Sequence, residues 1–246
     1  MNTLVVGATS TVAGDVATHL AARGDRIFCI GRSPKKMARL MKSLGGAAVG
    51  NACFDFDKEP MLIEEALEKA STELGTIDLV LVAHGALYDQ LESEVSIKAA
   101  QMAFETNFLS VLRFLIPLAN LMEKEGHGKI AVITSVAGVR GRPRNYTYGS
   151  AKGALSLYLE GLRSRLWSTG VEVYDFKLGP VDTPMTKDHA KNFSFSTPEK
   201  VAKTIFAGLK TKRYVRYVPG FWGLVMIVVK YMPEVIFQRL SFLSGR

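Results

Sequence analysis

Tyr148 and Lys152 stand four residues apart in Tyr146-Thr147-Tyr148-Gly149-Ser150-Ala151-Lys152, a spacing that puts both side chains on one helix face, within reach of one small molecule. A phenol with an unperturbed pKa of ~10 is a poor acid or base near neutrality, but a cation one helical turn away stabilises the phenolate and lowers that pKa. Lys152 would be that cation. Ser135 lies thirteen residues before Tyr148, at the carboxyl end of an expected strand, where ligands of open parallel sheets bind. Tyr146 is set aside because four residues on from it stands Ser150. The chemistry these types offer is proton transfer at an alcohol or carbonyl oxygen.

A second group of residues could hold a nucleotide. Val5-Val6-Gly7-Ala8-Thr9-Ser10-Thr11-Val12-Ala13-Gly14 follows the first apolar run and opens the first helical one, the place where helix N-terminal amides take a pyrophosphate. Gly7, Thr9, Ser10, Thr11 and Val12 are its candidate contacts, although the usual second and third glycines are replaced by Thr11 and Ala13. At the end of the second strand Arg32 stands where an acid would bond a ribose 2′-hydroxyl, so NADP(H) is expected as the preferred cofactor and NAD(H) as the second choice.

These residues need a scaffold, and the composition provides for one. Of 246 residues 48% are apolar and 22% charged, which excludes disorder, collagen and a coiled-coil rod. Strands are expected at 3–6, 26–30, 48–53, 77–83, 129–134, 171–177 and 214–218, and helices at 12–23, 34–44, 60–74, 97–124, 147–168 and 197–209. That alternation is the pattern of repeated βαβ units, so the fold class is α/β, a Rossmann-type doubly wound parallel sheet in a single domain. Residues 1–209 would form the dinucleotide-binding and catalytic body, and 210–246 the last strand with an apolar, basic helical tail. Gly24 suits a helix C′ position, and Pro34 and Pro198 suit first helical positions. Cys29 and Cys53 both read as reduced core thiols. No histidines or carboxylates have metal-ligand spacing, so no metal is expected. The amino terminus lacks the basic and long apolar regions of a secretion signal, so a cytoplasmic protein is expected.

With Asn107 added, the sequence resembles the short-chain dehydrogenase/reductase family over roughly residues 3 to 218. Asn107, Ser135, Tyr148 and Lys152 match that family's catalytic tetrad. The resemblance implies that Ser135 polarises a substrate carbonyl, that Lys152 also bonds the nicotinamide ribose, and that Asn107 anchors a water-linked proton relay. In ketone reduction the cofactor would deliver hydride to carbon and Tyr148 a proton to oxygen. The resemblance also assigns Asp55, with Phe56 beside it, to the adenine. Gly179, Val181 and Thr183 fall to the nicotinamide, in a segment where Leu178 replaces the usual proline. Ala83, His84 and Gly85 occupy the family's Asn-Asn-Ala-Gly site and keep only the glycine, which places His84 near the cofactor, as a structural hydrogen bonder before a catalyst.

On the substrate side, Arg140, Arg142 and Arg144 alternate on the loop between Ser135 and Tyr148 and could fork onto an anionic group; solvated arginines are the plain alternative. His189 is a further candidate substrate contact. Gly141-Arg142-Pro143 ahead of the tyrosine, with the Gly7-Ala8-Thr9-Ser10 loop, resembles a bacterial subgroup that includes the reductase subunit of decaprenylphosphoryl-ribose 2-epimerase, which implies a lipid-linked sugar as one substrate class. The net charge is +8, and residues 210–246 hold seven bases and one acid, which argues against a nucleic-acid groove spread over the whole protein. The apolar runs of 219–243 are too broken to span a bilayer. They read as amphipathic helices making peripheral contact at the inner face of the cytoplasmic membrane, or as a subunit interface of a homo-oligomer. Three functions compete: an NAD(P)H-dependent carbonyl reductase acting on a lipid or lipid-linked substrate, a soluble carbonyl or 3-oxoacyl reductase with an oligomerising tail, and a non-catalytic dinucleotide-sensing scaffold.

Overall fold

The computed structural model describes residues 1–187, 191–192 and 194–240. Seven strands form one parallel sheet: β1 (Asn2–Val6), β2 (Arg26–Gly31), β3 (Ala48–Cys53), β4 (Leu79–Val82), β5 (Gly128–Ser135), β6 (Val171–Leu178) and β7 (Val215–Val218). Their order is β3-β2-β1-β4-β5-β6-β7. The chain direction across the sheet reverses between β1 and β4, which opens a crevice at the carboxyl ends of those strands. Helices α1 (Thr11–Ala22), α2 (Pro34–Leu44) and α3 (Leu62–Leu74) link the first half. The short α4 (Gln90–Val95) and α5 (Ile97–Phe104) lead into α6 (Ser110–Glu125), α7 (Tyr146–Leu166) and α8 (Pro198–Gly208), and α9 (Phe221–Tyr231) and α10 (Glu234–Arg239) end the described chain.

Both sheet faces are covered, so the central strands read as largely apolar runs rather than alternating ones, β4 being apolar at every position. In β1, Leu4 and Val6 join the layer of α3, α6 and α7, whereas Val5 joins the layer of α1 and α8. Helix starts carry the chemistry that the sequence suggests. The Ser10 hydroxyl accepts from the Ala13 amide at 3.2 Å, Ser33 precedes Pro34 at the head of α2, and Thr197 caps α8. Gly24 follows α1 with a φ of 91°.

Three expectations need correction. The helix expected at 97–124 is two helices joined by a π-turn over Glu105–Leu109, so the extra residue in that turn re-aims the side chains around Asn107. The stretch 97–125 is apolar and long enough to cross a membrane, but half of its most apolar 18-residue window is buried inside the protein. Helix α4, capped by Asp89, lies where no element is expected from the sequence. Cys53 is exposed at the end of the edge strand β3, while Cys29 is buried, and burial pushes its thiol up to about 12.

Candidate active site

The four residues singled out first come together at the carboxyl end of the sheet. Ser135 ends β5, and its hydroxyl accepts from the Ala137 amide at 3.1 Å while hydrogen bonding to Tyr148. Tyr148 lies in the first turn of α7, and Lys152 follows one turn later with its Nζ 5.9 Å from the centre of the tyrosine ring. What brings α7 so close to Ser135 is a backbone-to-backbone contact. A Cβ on Gly138 would lie 2.6 Å from the Gly153 nitrogen, so any larger residue would push the helix away from the strand end. Asn107 is buried at the π-turn. Its amide donates to the carbonyls of Ala86 at 2.8 Å and Ala103 at 2.9 Å and accepts from the Ala86 amide. A side chain starting at Gly85 would meet Asn107 Oδ1 at 2.7 Å and Lys152 Nζ at 3.0 Å, which shows how tightly the asparagine and the lysine crowd one point.

Burial sets the protonation states here. Desolvation pushes Tyr148 up to about 12, opposed by the Ser135 hydrogen bond, so the free protein carries a neutral phenol able to give up a proton. Desolvation pulls Lys152 down to about 8, opposed by the attraction of Asp175. Both shifts have the sign expected when water leaves a charged form. Lys152 thus stays largely protonated at neutral pH.

A cleft of about 370 Å³ opens beside the β1–α1 turn and is bordered by Thr9, Ser10, Thr11, Lys36 and Arg39. Gly7 turns the chain with a φ of 77°. This lining fits a polyphosphate: small residues at a helix N-terminus with two bases of α2 opposite. Lys36 and Arg39 were invisible to motif reasoning because they sit on the outer face of a different helix. Asp15 is the one acid on that wall, and desolvation raises its pKa. Arg32 is exposed at the end of β2. Val12 and Phe56 are core side chains, which leaves only their backbone to face a nucleotide. Asp55 is partly exposed, and its carboxylate accepts from the Asp57 amide. Ala83 hydrogen bonds back to Val6. Gly179 bonds to Val218, Val181 is bridged to Ser196, and the Thr183 amide donates to the Thr186 hydroxyl.

His84 packs edge-on against Phe56 at 4.9 Å and Phe114 at 5.8 Å between ring centres, with Nε2 3.0 Å from the Ser110 hydroxyl. Burial, with the nearby positive charges of Lys152 and Arg32, pulls its pKa down to about 3. A histidine held neutral in this way cannot cycle as an acid/base near neutrality.

The loop arginines part company. Arg140 is corrected as a substrate contact, because its guanidinium is already used by the chain. It donates to the carbonyls of Val229 and Met232 at 2.6 Å each, pairs with Glu234 at 2.6 Å and lies 4.0 Å over the Phe237 ring. Among the described residues the buried Nε of Arg142 has no partner, and its pKa is lowered by burial and by Arg144. Arg144 is exposed beside it. His189 lies outside the described residues. Through Arg140 the tail closes over the active-site loop, where Met226, Val229 and Phe237 form a small core with Val136, and Trp222 packs at its edge against Gly179.

Comparison with known proteins identifies the family. The family profile described as short chain dehydrogenase matches residues 1–193. An uncharacterised oxidoreductase of Streptomyces coelicolor is 33% identical over 242 residues, covering 96% of this chain and 94% of the relative. A 3-oxoacyl-[acyl-carrier-protein] reductase of Escherichia coli is 30% identical over 184 residues, 75% of each chain. Among solved structures, an actinorhodin polyketide ketoreductase with NADPH superimposes with a TM-score of 0.77 at 22% identity, covering 89% of this chain and 95% of that one. A phenol, a lysine, a serine and an asparagine gathered at the switch point of such a sheet, in a chain with these relatives, place the protein in the short-chain dehydrogenase/reductase family of NAD(P)-dependent oxidoreductases.

Proposed function

We propose that the protein reduces a carbonyl group to an alcohol with NADPH, on a lipid or lipid-linked substrate that carries an anionic group. The observation that carries this reading is the neutral Tyr148 hydroxyl, hydrogen bonded to Ser135 with protonated Lys152 one turn away. A nicotinamide cofactor, whose phosphates the cleft at Thr9, Ser10, Thr11, Lys36 and Arg39 would hold, would supply the hydride; the remaining roles fall to side chains. Ser135 orients the carbonyl oxygen, Tyr148 gives it a proton as negative charge develops there, and Lys152 stabilises the phenolate left behind. Asn107 holds the loop after β4 by bonding both the amide and the carbonyl of Ala86, and the family resemblance gives it the further role of anchoring a water-linked proton relay. Lys36, Arg39 and Arg32 support the preference for a 2′-phosphate over a bare ribose. Arg142, whose buried Nε lacks a partner among the described residues, supports an anionic substrate group.

The membrane half of the proposal rests on α9. Its outer face exposes Leu224 at 74%, Ile227 at 56% and Val228 at 61%, next to Lys230 and downstream of the bases at 210, 212, 213 and 216. A helix of 11 residues is too short to span a bilayer but long enough to lie in its interface. This favours a protein working at the cytoplasmic face of a membrane. The same face would serve a homo-oligomer, so co-sedimentation with anionic vesicles in low salt supports the first reading, and dimers lost on truncation after Val218 support the second.

The reaction is tested by supplying NADPH deuterated at the transferable position with ketones that include polyprenyl-linked ones. One deuterium in the product alcohol is expected. No transfer to any ketone, with NADPH still bound, would favour the sensing scaffold.

A further inference from the structure

Where α7 lies on β5 and β6 the interface is apolar, built from Leu155, Leu159, Val132 and Val173, except at one place. There Thr134, Ser156, Asp175 and Lys177 are all buried. Lys177 Nζ is 2.7 Å from Asp175 Oδ2 and donates to the Ser156 hydroxyl at 2.6 Å, and the Thr134 hydroxyl donates to Asp175 Oδ1. A buried ion pair is no more stabilising than apolar side chains of similar volume and is often less so, so packing alone gives no reason for this one. Its location does. Thr134 precedes Ser135 on β5, and Ser156 is one helical turn beyond Lys152 on α7. The cluster therefore sits directly behind the two elements that present the reacting groups.

We propose that the Asp175–Lys177 pair is a positioning device that sets the charge of Lys152: the carboxylate attracts the Lys152 ammonium, and Lys177, tied to Ser156, limits that attraction. The proposal rests on the reading of Lys152 as the cation serving Tyr148. Lys152 faces Tyr148 on its own helix and Gly85 and Asn107 on the β4 side, with neutral His84 nearby, and it feels the charge of Asp175 on β6. Asp175 in turn faces Lys177 on its strand, Thr134 on β5, Arg163 on α7 and Tyr217 on β7; Glu160 of α7 acts on Arg163 and Tyr217 as well. Desolvation alone draws Lys152 toward the neutral amine. A neutral lysine would not stabilise a phenolate, so a nearby carboxylate is what keeps the residue useful at physiological pH.

Opposite signs distinguish electrostatics from packing. Asp175→Asn removes the attraction and leaves Lys177 uncompensated, so Lys152 should lose its proton at lower pH. Lys177→Met removes the opposing cation, so Lys152 should hold its proton to higher pH. The measurement is a lysine 13Cε NMR titration of the full chain, with the Lys152 resonance identified by its absence in Lys152→Met. The wild-type midpoint is expected at about 8, the Asp175→Asn midpoint about one pH unit or more lower, and the Lys177→Met midpoint higher by a similar amount. The doubly substituted chain, which buries no charge at this point, should fall between the two. Coincident midpoints, or shifts of the same sign, would overturn the proposal. If Asp175→Asn does not fold, Lys177→Met and the double variant still decide it, because an unshifted or lowered midpoint in Lys177→Met has the same consequence. The titration uses no turnover, so an absence of reductase activity would count against the proposed reaction without touching this result.

Discussion

Around α7, groups that water would ordinarily keep are buried: Lys152, Asp175 and Lys177 lie in the interior, with one carboxylate, paired to Lys177 at 2.7 Å, between two ammonium groups. On α9 the reverse holds, and large apolar side chains such as Leu224 and Tyr231, each 74% exposed, face outward. Each region departs from the usual sorting of residues in its own direction, and neither departure helps folding. Buried charge costs desolvation, and a contiguous apolar face exposed on a surface marks a place where something else binds. The two regions meet at Arg140, which belongs to the loop of the first and is spent on the carbonyls and ring of the second. The catalytic end of the sheet is thus walled by the same helix that offers the apolar face.

Separating the two regions should produce the largest change. Arg140→Ala removes two hydrogen bonds from a charged donor to backbone carbonyls, each worth about 1.5–3 kcal/mol, a cation–π contact of about 0.5–2 kcal/mol, and the exposed ion pair with Glu234. The expected outcome is a tail that detaches by local unfolding while the body keeps its helical signal, seen as early proteolysis after residue 219 and red-shifted emission from Trp222. Trp167→Phe removes the only other indole and makes the emission change unambiguous. A tail equally resistant to protease in both proteins would mean the apolar cluster with Val136 holds it without the arginine.

A smaller effect isolates the interior of the body. His84 has a folded pKa of about 3 against an unfolded value near 6.5, so below that unfolded value only the unfolded chain takes up the proton. Stability is therefore fully present above about pH 6.5 and falls by about 1.4 kcal/mol per pH unit as the pH drops from there toward 3. Denaturant melts at pH 7, 6 and 5 should show this slope, and His84→Asn should flatten it by the same amount. Parallel wild-type and variant curves would mean the ring is hydrated and protonatable in the folded state.

The smallest effect on stability belongs to the outer face of α9. Leu224→Gln with Val228→Gln should change the unfolding free energy by less than about 0.5 kcal/mol per site, because neither side chain is buried. The same pair should weaken co-sedimentation with anionic vesicles severely. A large stability loss would show that this face is covered in solution, most simply by a second copy.

The two regions also differ in how much of them could be read beforehand. The order of strands and helices is written in the alternation of apolar runs, because a parallel sheet covered on both sides leaves no other pattern. Tyr148 and Lys152 declare themselves through helical spacing, and Ser135 through its place at a strand end. Asn107 was recognisable only by resemblance, since the π-turn that aims it carries no residue signature of its own. The contact between Gly138 and Gly153 joins two glycines that each look ordinary alone. Arg140 resembled an anion binder because its partners, Val229 to Phe237, are distant in the chain and meet it only in the folded state. Asp175 and Lys177 stand as charges at alternate positions of an apolar strand, a pattern that sequence reasoning passes over because its meaning depends on what α7 places opposite.

The central claim is that Tyr148 delivers the proton that completes carbonyl reduction, and its most direct test compares wild type with Tyr148→Phe in single-turnover oxidation of bound NADPH by a ketone that the wild-type protein reduces. The phenyl ring keeps the packing of α7 and loses only the hydroxyl, so NADPH affinity and melting temperature should stay close to wild type while the rate falls by about 10²–10⁴-fold. A variant that binds NADPH and reduces the same ketone at the wild-type rate would contradict the account.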